Sequence, residues 1–332
     1  MMRRHKVIFD TDPGVDDAMA LRFLTRRPEF DLLAVTTVFG NLDIGTVTRN
    51  ALWLADRMDL SVPVARGAAA PLARARGHGA PHVHGANGLG DIPLTGPLTG
   101  PLTGLLADPS VRAADPRPAW QVIVELVRAH PGEVTLIAVG PLTNLALALA
   151  HDPEIAGLVA GVSLMGGAFG TRGHRGNVSP VAEANILSDP EAADRVVTAP
   201  WPVTMLGLDV TQHVVMDAAY LDRLGAAGAD GAFLRAVSRF YQAFHERSRG
   251  LAGIFAHDSL AVIQVMAPHL FTLRRGPVRV ACGGIADGQT IQKPDGVPCP
   301  PLPAWDVHPA QAVAVDVDAA GALTLYAETF GV

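Results

Sequence analysis

One α/β domain, with a mainly parallel central sheet, helices on both of its faces and an active site at the carboxyl edge of the strands, is the fold this sequence predicts. Three observations predict it. Short apolar runs of strand length alternate with segments of helical spacing along most of the chain. Apolar residues make up 49% of the 332 residues and charged residues only 17%, which provides for a sizeable core and excludes wholesale disorder. No clear boundary divides the chain into two folding units.

The elements follow in order. Residues 7–9 are apolar and run into acids and Pro13-Gly14, so they predict a buried strand and a turn. Residues 16–25 place Ala18, Leu21, Phe23 and Leu24 at helical spacing. A second strand is expected over 32–38, a helix over 44–55 and a short strand over 62–65. The rhythm returns with helix 120–129, strand 134–139, helix 142–150 and strand 159–165. Helix 190–198 and strand 203–208 come next, then a long helix over 232–249 and another over 259–266. The tail reads as two strands, 313–317 and 323–328, joined by a turn at 318–321. Residues 66–118 break the pattern. They are rich in Gly, Pro, Ala and His and contain the near-repeat LTGPLTGPLTG at 94–104. A segment this long and irregular reads as an active-site loop region.

Bulk properties exclude several classes. The net charge is −6 and Lys and Arg form no block, so neither nucleic acid nor an anionic membrane is an expected partner. No apolar run reaches the ~18 residues of a membrane span. The opening residues place acids after a very short apolar run, so no signal peptide is expected. Cys282 and Cys299 form no CxxC pair and read as reduced cytoplasmic thiols.

The sharpest motif is D-T-D-P-G-V-D-D-A, residues 10–18, with four carboxylates in eight residues and no Lys or Arg among them. Acids at a helix N-terminus are stabilised by its dipole. That accounts for one or two of them. Four packed together repel and raise each other's pKa unless a cation sits among them. Oxygen ligands select a hard ion, Ca²⁺ first and Mg²⁺ second. A haloacid-dehalogenase-type phosphatase also places D-x-D after its first strand. Here Pro13 follows the second Asp, and lysine occurs only at Lys6 and Lys293, which speaks against that reading.

The same motif resembles the N-terminal signature of the inosine/uridine-preferring nucleoside hydrolases. Further blocks follow in the family's order: Phe39-Gly-Asn41, Gly140-Pro-Leu-Thr143-Asn144, Met165-Gly-Gly, then Asn177, Glu183-Ala184-Asn185, Asp189-Pro, and His257-Asp258. The resemblance spans residues 7 to about 265 and thins beyond 270. It implies a Rossmann-type core and hydrolysis of a small-molecule ribonucleoside to ribose and free base. It also implies one Ca²⁺ per subunit, held by Asp12, Asp17, Asp258 and the Thr143 backbone carbonyl. A water on that ion would pass its proton to Asp12. Asp16, Asn41 and Asn185 would hydrogen-bond the sugar diol or the water. Asn177, Glu183 and Met165 would surround the 5′ side, and Asp10 would support the cluster from behind. A homodimer or homotetramer is a family expectation.

Four histidines compete to protonate the departing base: His257, His245, His82 and His84. His257 precedes the implied ligand Asp258. His84 matches a family His-Gly pair beside the base. Tyr241 and His245 lie i, i+4 on one face of the long helix, while Phe240 and Phe244 fit a core stripe. His78, His82 and His84 could suggest zinc, but the loop offers no fixed third or fourth ligand, and a flap over the site is the preferred reading. Ala184 stands where the family commonly carries an aromatic. Residues 288–303 match nothing expected. The rival readings are a sugar-binding protein without catalysis, a metal-dependent phosphatase, and the same fold acting on another N-ribosyl compound. Purine against pyrimidine preference is not legible.

Overall fold

The computed structural model describes residues 4–94 and 112–332; most of the 94–104 near-repeat lies outside them. Strand β1 (His5–Thr11) is followed by helix α1 (Val15–Arg26). The side chains of β1 alternate between faces: Val7 and Phe9 enter one core cluster and Ile8 the other. Strand β2 (Phe30–Thr37) leads to α2 (Ile44–Arg57), whose first amides are capped by Asp43. β3 (Val64–Arg66) and the single turn α3 (Pro81–His84) come next. After the undescribed residues the chain runs α4 (Ala119–Ala129), β4 (Val134–Ala138), α5 (Thr143–His151) and β5 (Gly161–Met165).

A long loop then reaches α6 (Ala184–Ser188), α7 (Pro190–Thr198) and β6 (Val203–Leu206). Next come α8 (Leu208–Thr211), β7 (Val215–Asp217), α9 (Ala218–Gly225), α10 (Gly228–Arg249), β8 (Gly253–Phe255) and α11 (His257–Met266). The C-terminal part adds β9 (Phe271–Gly276), β10 (Val278–Val280), β11 (Thr290–Gln292), α12 (Pro303–Asp306), β12 (Gln311–Val317) and α13 (Ala319–Thr329).

The eight-stranded sheet has the order β3-β2-β1-β4-β5-β6-β12-β9. Every neighbouring pair is parallel except β12 with β9. The expected α/β fold with a mainly parallel sheet is therefore borne out. The chain winds outward from β1 to β3, then returns to β4 on the other side of β1. The carboxyl ends of β1 and β4 thus flank the point where strand order reverses, and there a crevice opens. Asp12 follows β1 and the Gly140-Pro141-Leu142 turn follows β4.

One expected element is corrected. Residues 323–328 are not a strand but the end of α13. Leu323, Leu325 and Ala327 mimic alternation, yet Ala322 and Tyr326, four apart, are the residues buried. Tyr326 stacks on Phe23 at 5.0 Å and its hydroxyl donates to the Met19 carbonyl. The turn read at 318–321 is a helix cap: the Asp318 carboxylate accepts from the Gly321 amide.

Candidate active site

The carboxylates converge because three elements start or end at the crevice. Asp17 sits in the first turn of α1 and works inward. Its Oδ1 accepts from the Thr11 hydroxyl at 2.5 Å, and its Oδ2 accepts from the Gly14 amide at 2.8 Å and the Asn41 side chain at 3.2 Å. It both caps the helix and faces the cluster. Asp258 enters from the first turn of α11. Oxygens of Asp16, Asp17 and Asp258 lie within 4.8 Å of one another, a spacing one metal ion can span. Asp12 is not one of those three. Its Oδ2 accepts from the Asn41 amide at 2.7 Å, while its Oδ1 is buried with no hydrogen-bond partner. The Oδ1 of Asp16 is likewise buried and without one. Thr143 opens α5, buried, with its hydroxyl donating to Asp189 at 2.7 Å.

Burial without a counter-cation penalises every charge here. Desolvation first, then repulsion from Asp17, raises Asp12 well above the usual carboxylate range. Desolvation followed by repulsion from Asp16, Asp17 and Asp12 does the same to Asp258. Desolvation lifts Asp16 and Asp17 to about 6. Asp10, one layer below, is pushed to about 7 by burial although Thr36 and Asn144 donate to its Oδ1. Five strained acids around orphaned oxygens form a site that a cation would relax.

A cavity of about 210 Å³ opens over this cluster. Asp16, Asn41, His84, Met165, Asn177, Glu183, Asn185, Tyr241, His245, His257 and Asp258 all line it. Asp12 lines an adjoining cavity of about 440 Å³ that shares Asn41, Ala184 and Asn185. Asp10, Asp17 and Thr143 line neither and stand beneath.

One wall is aromatic. His84 stacks on Tyr241 at 5.4 Å, Tyr241 meets His245 at 4.5 Å, and Phe255 lies between His245 and His257. His84 accepts the Val15 amide at its Nδ1. Both ring nitrogens of His245 are buried without partners. The Nδ1 of His257 pairs with the Thr211 hydroxyl at 2.7 Å. Desolvation pulls His84 and His245 down to about 4 and His257 to about 3, so all three are neutral at pH 7.

The opposite wall is held by backbone bonds. Glu183 caps α6, accepting from the amides of Asn185, Ile186 and Gly167. Asn185 donates to the Val139 and Met165 carbonyls. Asn177 accepts from the Ala184 amide. Sequence reasoning missed Thr211 and Arg249, and it named Asp189 within a motif without giving it a role. Thr211 meets His257 only through the fold and carries no local signal. Arg249, on the last turn of α10, lines the cavity and lies over the Phe255 ring. Asp189 stood before a proline at a helix start, a readable cap.

Comparison with known proteins covers nearly the whole chain. Residues 7–324 match the family described as inosine-uridine preferring nucleoside hydrolase. Uridine nucleosidase 1 of Arabidopsis thaliana is 40% identical over 291 residues, 87% of this chain and 82% of that protein. The inosine-uridine preferring nucleoside hydrolase of Leishmania major is 38% identical, over 86% of this chain and 87% of its own. The solved structure of a plant nucleoside hydrolase, the PpNRh1 enzyme, superposes with a TM-score of 0.89 at 37% identity and covers 98% of each chain.

Proposed function

The chain belongs to the inosine-uridine preferring nucleoside hydrolase family and hydrolyses the N-glycosidic bond of ribonucleosides, and from that premise we propose that Asp12 is the base that activates the attacking water, beside a calcium ion. The observation that carries this reading is the Asp12 carboxylate: one oxygen is fixed by the Asn41 amide and the other is buried with nothing to accept from. A carboxylate so held has one lone pair aimed at work and no freedom to turn away.

Asp12, Asp17, Asp258 and the Thr143 carbonyl would hold the ion, with Asp16 beside it. The donors are all oxygen, which suits calcium over softer metals. When bound, the ion supplies positive charge that acidifies the water and attracts the ribose diol. Asp16, Asn41 and Asn185 orient that diol. Asn177, Glu183 and Met165 close on the 5′ side. As the glycosidic bond lengthens, the ribose ring becomes cationic, and the surrounding carboxylates stabilise it without reorganising. The aromatic wall of His84, Tyr241 and His245 takes the base. His257 serves the leaving group through Nε2, since Thr211 occupies its Nδ1. Residues 74–84 act as the flap; Arg76, His78, Gly79 and Ala80 already line the mouth.

We further read the protein as cytoplasmic, where its two exposed free cysteines would stay reduced. We read it as a homodimer or homotetramer, supported by the exposed apolar side chains Ile285, Val297 and Val307; light scattering checks this. Ala184 lines both cavities, which favours a second reading in which a bulkier N-riboside is accepted.

The test is ribose release from a panel of purine and pyrimidine ribonucleosides and other N-ribosides, with Ca²⁺ and after EDTA. Release that falls with chelation and returns with Ca²⁺ is expected. Release untouched by chelation would remove the metal from the reading.

A further inference from the structure

The crevice continues beyond the cavity over the acids. Beside that cavity of about 210 Å³ lies one of about 440 Å³, between the flap and α6. The second is the larger, and its size is that of a small-molecule site. The reaction itself uses only Asp12, Asn41 and Asn185 from its lining. Ala184 lies on both cavities, one residue past Glu183, and its amide donates to the Asn177 side chain. The gap therefore opens beside two of the residues read as the 5′ side. A methyl group there leaves the cavities joined; a ring at this position would stand between them. Val178, which also lines both, is an apolar side chain left 53% exposed. Leu187, Ala75 and Ala80 continue the apolar lining. Glu183 needs no hydroxyl beside it. It is buried, and its carboxylate oxygens already accept the amides of Asn185, Ile186 and Gly167. A substrate without a 5′ O–H strands no buried acceptor there.

We propose that the enzyme takes ribonucleosides extended at the 5′ carbon by an uncharged group, a thioether or ether, which leaves the ribose past Ala184 and lies in the larger cavity against Val178 and Leu187. The inference rests on the reading that Asn177 and Glu183 take the 5′ side. Covering the exposed Val178 supplies the attraction. Charge decides the kind of group. Asp12 and Asp287 line the larger cavity, and Glu183 lies beside the gap. Its arginines already face acids: Arg74 pairs with Glu191 and Asp287 at 2.6 Å, and Arg76 faces Asp43. A phosphate would meet carboxylates there, with no cation of its own. The chemistry is unchanged by the extension. Water adds its hydroxyl to C1′, the C1′–N bond breaks, and the base leaves with the bonding pair and takes up the remaining proton. The second product is a 5′-substituted ribose, and nothing but water is consumed.

The test is steady-state release of base from three forms of the better parent, adenosine or uridine: the 5′-hydroxyl compound, the 5′-deoxy-5′-propylthio compound and the 5′-phosphate. A fourth probe carries a benzyl group on the base and an ordinary 5′-hydroxyl. All are run in Ca²⁺ on wild type and on Ala184→Phe. In wild type the thioether should keep kcat/KM within about tenfold of the parent, and the phosphate should fall by about a hundredfold or more. Ala184→Phe should lower the ratio of thioether to parent at least about tenfold, since a few atoms too many in a filled pocket discriminate on that scale. The ratio is taken within one protein, so any loss of folded enzyme cancels, and the wild-type comparison stands whatever the variant does. A parent turned over with the thioether refused, or a ratio that Ala184→Phe leaves unchanged, would overturn the inference and leave the hydrolase reading standing. A phosphate taken as well as the thioether would overturn the uncharged assignment. A benzyl probe that is taken in place of the thioether, and lost in Ala184→Phe, would give the larger cavity to the base and overturn the 5′-side reading as well.

Discussion

Asp12 owes its position to two glycines as much as to a hydrogen bond. A Cβ at Gly40 would lie 2.0 Å from its Oδ2, and one at Gly140 would lie 2.6 Å from its Oδ1. No side chain fits, so Gly140→Ala must push the carboxylate aside. The expected result is a folded protein, destabilised by about 1–3 kcal/mol, that has lost turnover as thoroughly as Asp12→Asn. For Asp12→Asn, kcat should fall by on the order of 10³ or more, because both the proton acceptor and a charged metal donor go. Steady-state kinetics at saturating Ca²⁺ check both: near-normal kcat in Asp12→Asn would remove Asp12 as the base, and near-normal kcat in Gly140→Ala would show that the carboxylate keeps its place beside an alanine. Both glycines stood in motifs readable in the sequence; their steric purpose did not. His257 belongs to the other half of the reaction. Its low pKa leaves it neutral at pH 7, so it acts on a base that already draws a proton. His257→Ala should therefore slow natural nucleosides far more than a nitrophenyl riboside, whose leaving group needs no proton. Equal slowing of both would exclude that role.

At the scale of elements, Asp189 shows how one cap organises several segments. It caps α7 through the Ala192 amide, and its other oxygen accepts from the Leu72 amide and the Thr143 hydroxyl. Arg74 ties the same loop to Glu191 and Asp287. Asp189→Ala should cost about 1–2 kcal/mol for the cap. It should also weaken Ca²⁺ binding, because the residue that would offer a metal its carbonyl loses its anchor. Thermal melts with and without Ca²⁺ separate these effects. A calcium-induced shift as large as in wild type would show that Thr143 stays in place without Asp189. Most elements were legible because buried parallel strands and amphipathic helices write opposite periods into the chain. Helix 190–198 was found to the residue, and 44–55 ends only two residues early. What failed did so for physical reasons. α13 packs a single Ala322–Tyr326 stripe against α1, and its alternating apolar residues imitate a strand. β9, β10 and β11 are short and partly exposed, so little burial pattern marks them. Carboxylate convergence was legible because three of its members share one turn; the His257–Thr211 pairing joins segments that only tertiary structure brings together.

For the molecule as a whole, the acidic crevice makes stability depend on pH and on metal together. A carboxyl raised in the fold binds a proton that the unfolded chain has already lost. The unfolded state then holds fewer protons, and stability falls as pH rises through the gap between the two pKa values. For Asp10 that gap runs from about 4 to about 7. Asp12 and Asp258 extend it upward. The histidines act in the opposite sense. His84, His245 and His257 are depressed to about 3 to 4, so they add stability as pH rises toward 6.5. Above that they are neutral in both states and drop out. Between pH 6.5 and 8 the acids alone should govern. The metal-free protein should then melt a few degrees lower at pH 8 than at pH 6.5. Calcium should reverse the trend, since a bound cation replaces the protons and favours the ionised carboxylates. The calcium-induced rise in Tm should accordingly be larger at pH 8 than at pH 6.5. Differential scanning calorimetry in EDTA and in Ca²⁺ at the two pH values measures both. A metal-free Tm that climbs across this interval would mean that the buried carboxylates find partners within the protein, and the need for a cation would go with them.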